Sequence, residues 1–154
     1  MSNEIRLNVT NLERIAALAP AHYTAIRFDS NNQCNVHCVY CHNPRSEELI
    51  DIERFRSFIT ENVLSVGIFQ FGCQMEPTLD PRLCDFMLAL AASPAAPARG
   101  IRLQTNGILL HRHPPEKLLE AGLAIVTISV DSVRGIALAP VLLGGRPLGS
   151  MALI

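Results

Sequence analysis

Three cysteines in the segment CNVHCVYC are the residues with the clearest capacity for chemistry. Cys34, Cys38 and Cys41 follow the spacing C-x3-C-x2-C, directly after an apolar run that predicts a strand. Thiolates are the usual protein ligands of iron–sulfur clusters, and three on one loop can hold three corners of a cubane. One iron would then keep an open coordination position, which a catalytic metal site needs and a structural site avoids. The spacing therefore favours a [4Fe-4S] cluster with one open iron.

A structural zinc site is the alternative that these residues leave open. Zinc would use the same three cysteines, with His37, His42 or Cys73 as the fourth ligand. Zinc sites usually present their ligands in pairs rather than in a triplet of this spacing. An iron–sulfur cluster is therefore the preferred interpretation of the motif.

Three further polar segments each end a predicted strand. The segments are QMEP, with Gln74, Met75 and Glu76; LQTNG, with Thr105 and Asn106; and ISVDS, with Ser129 and Asp131. Taken alone, Glu76 would be a solvated turn residue, Asn106-Gly107 a common turn, and ISVDS the polar end of a buried strand. Ligands of open α/β sheets and barrels sit outside the carboxyl ends of the strands. The shared position of the segments therefore indicates one binding site.

Strand–helix units must position these residues. From Thr24 the chain alternates short apolar runs with helical patterns, which is typical of a parallel sheet. The predicted strands are TAIRFDS, VGIFQFG, IRLQTNG and AIVTISVDS. Helices are predicted near 50–63, after Asp80, and from Pro114 to Gly122. Asp80 is expected to cap the second helix, with Pro81 at its first position, and Gly122 to end the third.

Composition excludes several classes of protein. Thirteen basic and fourteen acidic residues leave a net charge of −1, which gives no long-range attraction for nucleic acid or an anionic membrane. The first twenty residues mix charges into their apolar positions, unlike a secretion signal, and no stretch approaches the length of a membrane span. Five cysteines, three of them in one motif, do not resemble an extracellular disulfide framework. We expect one cytoplasmic domain with reduced thiols and no nucleic-acid or membrane partner.

Two cysteines and two histidines outside the motif are assigned no functional role. Cys73, beside the QMEP segment, and Cys84, in an amphipathic helical pattern, are expected to be small buried residues. His111 and His113 alternate in a loop ahead of Pro114 and are expected to be solvated.

The cysteine triplet after a first strand, with Tyr40 before the third cysteine, resembles the defining motif of the radical S-adenosylmethionine (radical SAM) superfamily. The resemblance implies a [4Fe-4S] cluster on Cys34, Cys38 and Cys41. The amino and carboxylate groups of S-adenosylmethionine would chelate the open iron, and the backbone at Tyr40 would lie against the adenine.

The polar segments resemble the ligand-binding segments of the same superfamily. QMEP is similar to its Gly-Gly-Glu-Pro segment, which implies that Glu76 faces the ammonium of the methionine moiety. Gln74 and Met75 stand where the family has glycines, so the backbone approaches a ligand less freely. The other segments carry over too. In the family, residues like Thr105 and Asn106 contact the carboxylate or ribose, and residues like Ser129 and Asp131 face the ribose.

The resemblance also implies a function. A reduced cluster would donate one electron to the sulfonium of S-adenosylmethionine, giving methionine and a 5'-deoxyadenosyl radical for hydrogen abstraction from a substrate. An electron donor such as a flavodoxin or ferredoxin is implied. The motifs are most similar to the branch with molybdenum-cofactor cyclases and peptide-maturing enzymes, while the substrate stays open. The alternative is a non-catalytic iron–sulfur or zinc-binding fragment.

The implied fold is α/β, a partial (β/α) barrel of the radical SAM type with about four of the family's six parallel strand–helix units. Residues 1–20 are predicted to be an N-terminal extension, 21–134 the incomplete core, and 135–154 an apolar tail containing Gly and Pro. The resemblance covers about residues 21–132.

The tail GIALAPVLLGGRPLGSMALI shows neither a helical nor a strand pattern. We expect the chain to be truncated or altered after about Ser132, and not to turn over a substrate by itself. Its fourth strand would be an open edge beside IALAPVLL, unless that segment folds back to cap the sheet.

Overall fold

The architecture is a five-stranded parallel sheet with helices between the strands. The computed structural model of the chain describes residues 3–16, 21–38, 40–130, 142–143 and 146–147. The strands lie in the order of the sequence: β1 Glu4–Leu7, β2 Ala21–Phe28, β3 Val63–Phe71, β4 Ile101–Thr105 and β5 Leu123–Ile128. Consecutive neighbours in a parallel sheet are typical of a barrel, so the predicted partial (β/α) barrel is confirmed.

The helices are α1 Leu12–Ala16, α2 Ile52–Asn62, α3 Leu83–Ala91 and α4 Pro115–Glu120. The four predicted strands are all present, and β1 adds a fifth. Glu4–Leu7 pairs with Ala25–Phe28, so part of the predicted N-terminal extension belongs to the sheet. The four-residue run EIRL was missed because it is too short for its alternation to stand out from the sequence.

One face of the sheet packs against the helices through an aromatic cluster. Phe28 of β2 lies with its ring centroid 4.6 Å from that of Phe55 on α2 and 5.4 Å from that of Phe86 on α3. Phe69 and Phe71 of β3 complete the cluster, and all five side chains are fully buried. Side chains alternate across a strand, so the opposite face, called here the inner face, carries the residues between them.

Helix ends follow local hydrogen bonding, with one departure from the prediction. Asp51 caps α2 by accepting from the backbone of Glu53 and Arg54. The predicted cap of α3 by Asp80 is wrong. The helix begins at Leu83 with Arg82 in the cap position, because Asp80 bonds the Arg82 N–H at 3.0 Å and so closes a separate turn. Gly122 ends α4 with φ +81°, as predicted.

Little of the tail belongs to the described part of the chain. Leu142–Leu143 and Arg146–Pro147 pair as two short antiparallel strands. The remainder of 131–154, including the predicted site residue Asp131, lies outside the described residues, so the predictions about the tail stay predictions. Within the described ranges, no helix is both long and apolar enough to cross a membrane.

Phe28→Ala should lower the free energy of unfolding by about 3–5 kcal/mol, because it leaves a cavity between four neighbouring rings. Urea unfolding followed by circular dichroism measures the change. Leu64→Ala, which truncates a side chain that is 56% exposed, is the control and should change stability by no more than about 0.5 kcal/mol. Equal effects of the two substitutions would contradict this account of the core.

Candidate cofactor-binding site

A cavity of about 500 Å³ lies at the carboxyl ends of β3, β4 and β5. Every predicted site residue in the described part of the chain lines it: Cys34, Cys38, Tyr40, Cys41, Gln74, Met75, Glu76, Thr105, Asn106 and Ser129. The volume lies within the range of small-molecule sites, roughly 300–1,000 Å³. The structure therefore brings together the segments that the sequence left far apart.

The cysteine loop joins β2 to α2 and is held by hydrogen bonds between its own residues. All three thiols are partly buried. The Arg45 guanidinium donates to the Cys34 carbonyl at 3.1 Å and also to the Val36 carbonyl. The backbone N–H of Asn43 lowers the pKa of Cys41, and the Asn43 side chain and the Arg45 charge lower it further. A lowered pKa favours the thiolate, the form in which cysteine binds metals.

The thiols fit an iron–sulfur cluster by their chemistry and common cavity. Among the described residues, no three His, Cys, Asp or Glu side chains are already grouped as a metal site. Binding a cluster would therefore draw the loop's thiols together. For the zinc alternative, His37 and His42 are exposed and neither lines the cavity, whereas Cys73 does.

Asp29, which the sequence analysis missed, positions the segment that precedes Glu76. Its carboxylate is 2% exposed and accepts from the backbone N–H of Cys73 at 2.8 Å, of Met75 at 3.3 Å and of Gln74 at 3.3 Å. Arg6 of β1 pairs with it at 3.2 Å. Burial raises the pKa of Asp29, and these donors partly counteract the shift. Asp29 could have been found from the sequence as an acidic residue at the end of a strand predicted to be buried.

Glu76 joins the end of β3 to the end of β4. The residue is 3% exposed, so it is not a solvated turn residue. Its Oε1 accepts from the Thr78 backbone at 3.1 Å, the Thr78 hydroxyl at 2.5 Å and the Thr105 hydroxyl at 2.6 Å. Its Oε2 accepts from the Asn106 backbone at 2.7 Å. The carboxylate thus positions LQTNG relative to QMEP.

Further bonds attach the cysteine loop to these strand ends. The buried Asn31 amide donates to the Glu76 carbonyl at 3.1 Å, and the Glu76 N–H donates to the Gln33 carbonyl at 2.9 Å. The Asn106 amide reaches the Asn35 side chain at 2.7 Å. Three chain segments that end at the cavity are therefore held to one another by polar contacts.

Gly72 is required where β3 turns into the QMEP segment. Its φ is +81°, and a Cβ at this position would lie 2.1 Å from the Gln104 carbonyl oxygen. Such an approach is closer than any real contact, so only glycine fits.

Two of the burial predictions for cysteines and histidines outside the motif are wrong. Cys73 is partly exposed to the cavity; burial and the Asp29 charge raise its pKa, while nearby Arg6 and Arg27 lower it. His113 is buried, and its Nε2 lies 3.0 Å from the carbonyl oxygen of Thr78, a partner on a distant segment. Cys84 is buried and His111 exposed, as predicted.

A parallel half-barrel with three cysteines and polar strand ends around one cavity has the architecture of cofactor-binding α/β proteins. The chain belongs to the radical SAM superfamily, whose family model matches residues 30–141. Members of this superfamily use a [4Fe-4S] cluster and S-adenosylmethionine. The family predicted from the cysteine motif is therefore confirmed.

Similar proteins include enzymes with different reactions. A GTP 3',8-cyclase of Synechococcus sp. (strain WH7803) is 31% identical over 82% of this chain and 40% of its own length. A probable GTP 3',8-cyclase of Methanocella arvoryzae is 33% identical over 71% of the chain and 35% of its own length. An Fe-coproporphyrin III synthase of Methanosarcina barkeri is 30% identical over 70% of this chain and 27% of its own length. The chain thus spans well under half the length of these relatives.

Solved structures of BtrN share the fold. BtrN in an open conformation superposes with a TM-score of 0.52 and 22% identity, over 69% of this chain and 49% of BtrN. BtrN in complex with AdoMet and 2-DOIA gives a TM-score of 0.51 and 21% identity, over 73% of this chain and 47% of BtrN. At this identity the likeness concerns the fold alone.

Asp29→Asn should lower the free energy of unfolding by about 1–3 kcal/mol, because it removes the charge that faces Arg6 and replaces Oδ2, the acceptor for Gln74 N–H and Arg6, with an amide donor. It should also speed hydrogen exchange at the amides of residues 73–75. Denaturant unfolding and exchange mass spectrometry measure the two effects. Glu61→Gln, which neutralises an exposed carboxylate on α2, is the control. Unchanged exchange in the Asp29 variant would show that this carboxylate does not hold the segment.

Proposed function

We propose that this chain is the cluster- and cofactor-binding part of a radical SAM enzyme. The observation that carries the proposal is the common cavity of Cys34, Cys38 and Cys41 with the polar ends of β3, β4 and β5. Membership of the superfamily supports the general chemistry. Since the chain spans only part of its relatives, the activity of a whole enzyme is part of the proposal.

The three cysteines would hold the [4Fe-4S] cluster, and Arg45 and Asn43 would keep their loop in shape. The chemistry that a bound cluster supplies is one-electron reduction of the sulfonium of S-adenosylmethionine, which yields methionine and a 5'-deoxyadenosyl radical for substrate hydrogen abstraction. An external reductase such as a flavodoxin or ferredoxin would provide the electron. The protein's own part is to ligate, to orient and to exclude water.

The QMEP segment would receive the ammonium of the methionine moiety. Glu76 Oε1 already has three donors, whereas Oε2 has one and keeps capacity for another. The N–H groups of Gln74 and Met75 are engaged by Asp29. Across the described ranges no hydrogen bond reaches the carbonyl oxygens of these two residues, which leaves them available as acceptors.

The remaining predicted residues would surround the nucleoside. Tyr40 is 62% exposed on the cavity, where its backbone could lie against the adenine. Thr105 and Asn106 at the end of β4 and Ser129 after β5 would face the carboxylate and ribose. These roles agree with the positions of the residues and stay proposals.

The proposal includes no particular substrate from the relatives. Their names give two different reactions, a cyclisation of GTP and the synthesis of Fe-coproporphyrin III. What supports a transfer from the relatives is membership of the superfamily, so the cofactor chemistry is the part that transfers.

Anaerobic reconstitution with iron and sulfide should load about four irons per chain. Electron paramagnetic resonance of the reduced cluster should change when S-adenosylmethionine is added, because the ligand occupies the open iron. Replacing Cys34, Cys38 or Cys41 with Ala should remove most of the iron. Cys84→Ala, at a buried position on α3, and Cys73→Ala are the controls and should retain it. Tight zinc binding without iron uptake would instead support the structural zinc alternative.

Glu76→Gln should weaken S-adenosylmethionine binding about ten- to a hundredfold while leaving the cluster content intact, since a hydrogen bond to a charged group contributes about 1.5–3 kcal/mol. Calorimetry on the reconstituted protein measures the affinity. Glu116→Gln on α4, exposed and outside the cavity, is the matched control. Unchanged affinity, with an altered melting temperature alone, would reduce Glu76 to its structural bonds with Thr78, Thr105 and Asn106.

A further inference from the structure

His113 is a buried imidazole that does not line the cofactor cavity, so the proposed function gives it no role. The residue follows a short 3₁₀ turn, Leu110–Arg112, and comes shortly before α4, but its polar contact is on another segment. The imidazole Nε2 lies 3.0 Å from the carbonyl oxygen of Thr78. Because a carbonyl oxygen only accepts, Nε2 carries a proton and donates it to this hydrogen bond.

Thr78 is bonded in turn to the carboxylate of Glu76. The residue is buried within a second short 3₁₀ turn, Pro77–Leu79, which Glu76 caps. The Thr78 backbone N–H donates to Glu76 Oε1 at 3.1 Å, and the Thr78 hydroxyl donates to the same oxygen at 2.5 Å. A single residue therefore connects the imidazole of His113 to the carboxylate of Glu76.

The Glu76 carboxylate depends on neutral donors for its position. Among the described residues it makes no ion pair, although it is buried. Besides Thr78, its donors are the Thr105 hydroxyl at 2.6 Å and the Asn106 backbone N–H at 2.7 Å, both at the end of β4. The carboxylate is thus held between the Pro77–Leu79 turn and β4, so a shift of the turn changes the direction of both carboxylate oxygens.

We infer that His113 is a positioning residue for Glu76: the imidazole holds the Pro77–Leu79 turn through the Thr78 carbonyl, and the turn holds the carboxylate at the cavity. Loss of the imidazole N–H would leave a carbonyl of a buried residue without this donor. Because such a loss is unfavourable, the turn would move toward another partner and take the Thr78 donors with it. The consequence for S-adenosylmethionine rests on the proposed function, which assigns its ammonium to Glu76.

The test compares two variants of His113 by hydrogen exchange in the metal-free chain and by S-adenosylmethionine affinity in the reconstituted chain. Exchange at the amides of Thr78 and Asn106, which both donate to Glu76, is measured relative to the amides of β3, so that global unfolding cancels. His113→Leu, of similar size but without a donor, should speed this exchange and weaken the affinity about three- to tenfold each, as expected for one lost hydrogen bond. His113→Gln, whose amide N–H can replace Nε2–H, should stay within about twofold of the parent chain in both measurements.

Ile59→Val on α2 is the control for a loss of stability alone. Ile59 is fully buried, and none of the polar contacts of Glu76 involves it. Removal of one buried methyl group lowers stability about as much as loss of one hydrogen bond. The substitution should leave both the relative exchange and the affinity for S-adenosylmethionine within about twofold of the parent chain.

The outcomes separate positioning from stability and from the proposed function. Unchanged relative exchange in His113→Leu, faster exchange with unchanged affinity, no rescue in His113→Gln, or an equal loss of affinity in Ile59→Val would overturn the inference. If His113→Leu does not fold, His113→Asn replaces it, because the shorter asparagine amide does not extend as far as Nε2. A parent chain that binds no S-adenosylmethionine would remove the proposed function, and the exchange measurement, which needs no cluster, would then decide whether His113 positions Glu76.

Discussion

A buried carboxylate just after β2 fixes the segment that follows β3 at the carboxyl edge of the sheet. Asp29 collects three successive backbone N–H groups of the segment 73–75 and the guanidinium of Arg6. Burying a charge without such donors is costly, so the carboxylate and the segment determine one another's position. Glu76, which follows directly, is thereby placed to reach Thr105 and Asn106 on the next strand. The two cavity-lining segments that follow β3 and β4 are therefore held in place by these two carboxylates.

The cysteine loop is attached to that edge by polar contacts rather than by packing. Asn31 and Gln33 bond to Glu76, and Asn35 bonds to Asn106. Arg45 holds two of the loop's carbonyl groups from the other side. These hydrogen bonds hold the loop that carries the three cysteines against the polar strand ends.

The two faces of the sheet differ in composition. The helix-covered face contains an aromatic cluster that supplies stability, with Phe28 in contact with four other rings. The inner face carries Arg6, Arg27, Gln70 and Arg102 in one register row, a composition that hydrophobic burial alone would not select. Polar residues on an inner face are expected where a ligand enters a barrel. The part of the chain that the structure describes therefore combines an apolar, helix-covered face with a more polar opposite face.

The sequence by itself determined the family, the parallel strand–helix order and the segments that line the site. Cys34, Cys38 and Cys41 stand close together in one motif, and the polar strand ends follow from the alternation of apolar runs. Such signals are local, so they need no knowledge of the folded chain. The role of Asp29 and the burial of His113 required the tertiary structure. Each depends on partners from distant segments, such as Cys73 for Asp29, and neither spacing nor periodicity within one segment encodes those contacts.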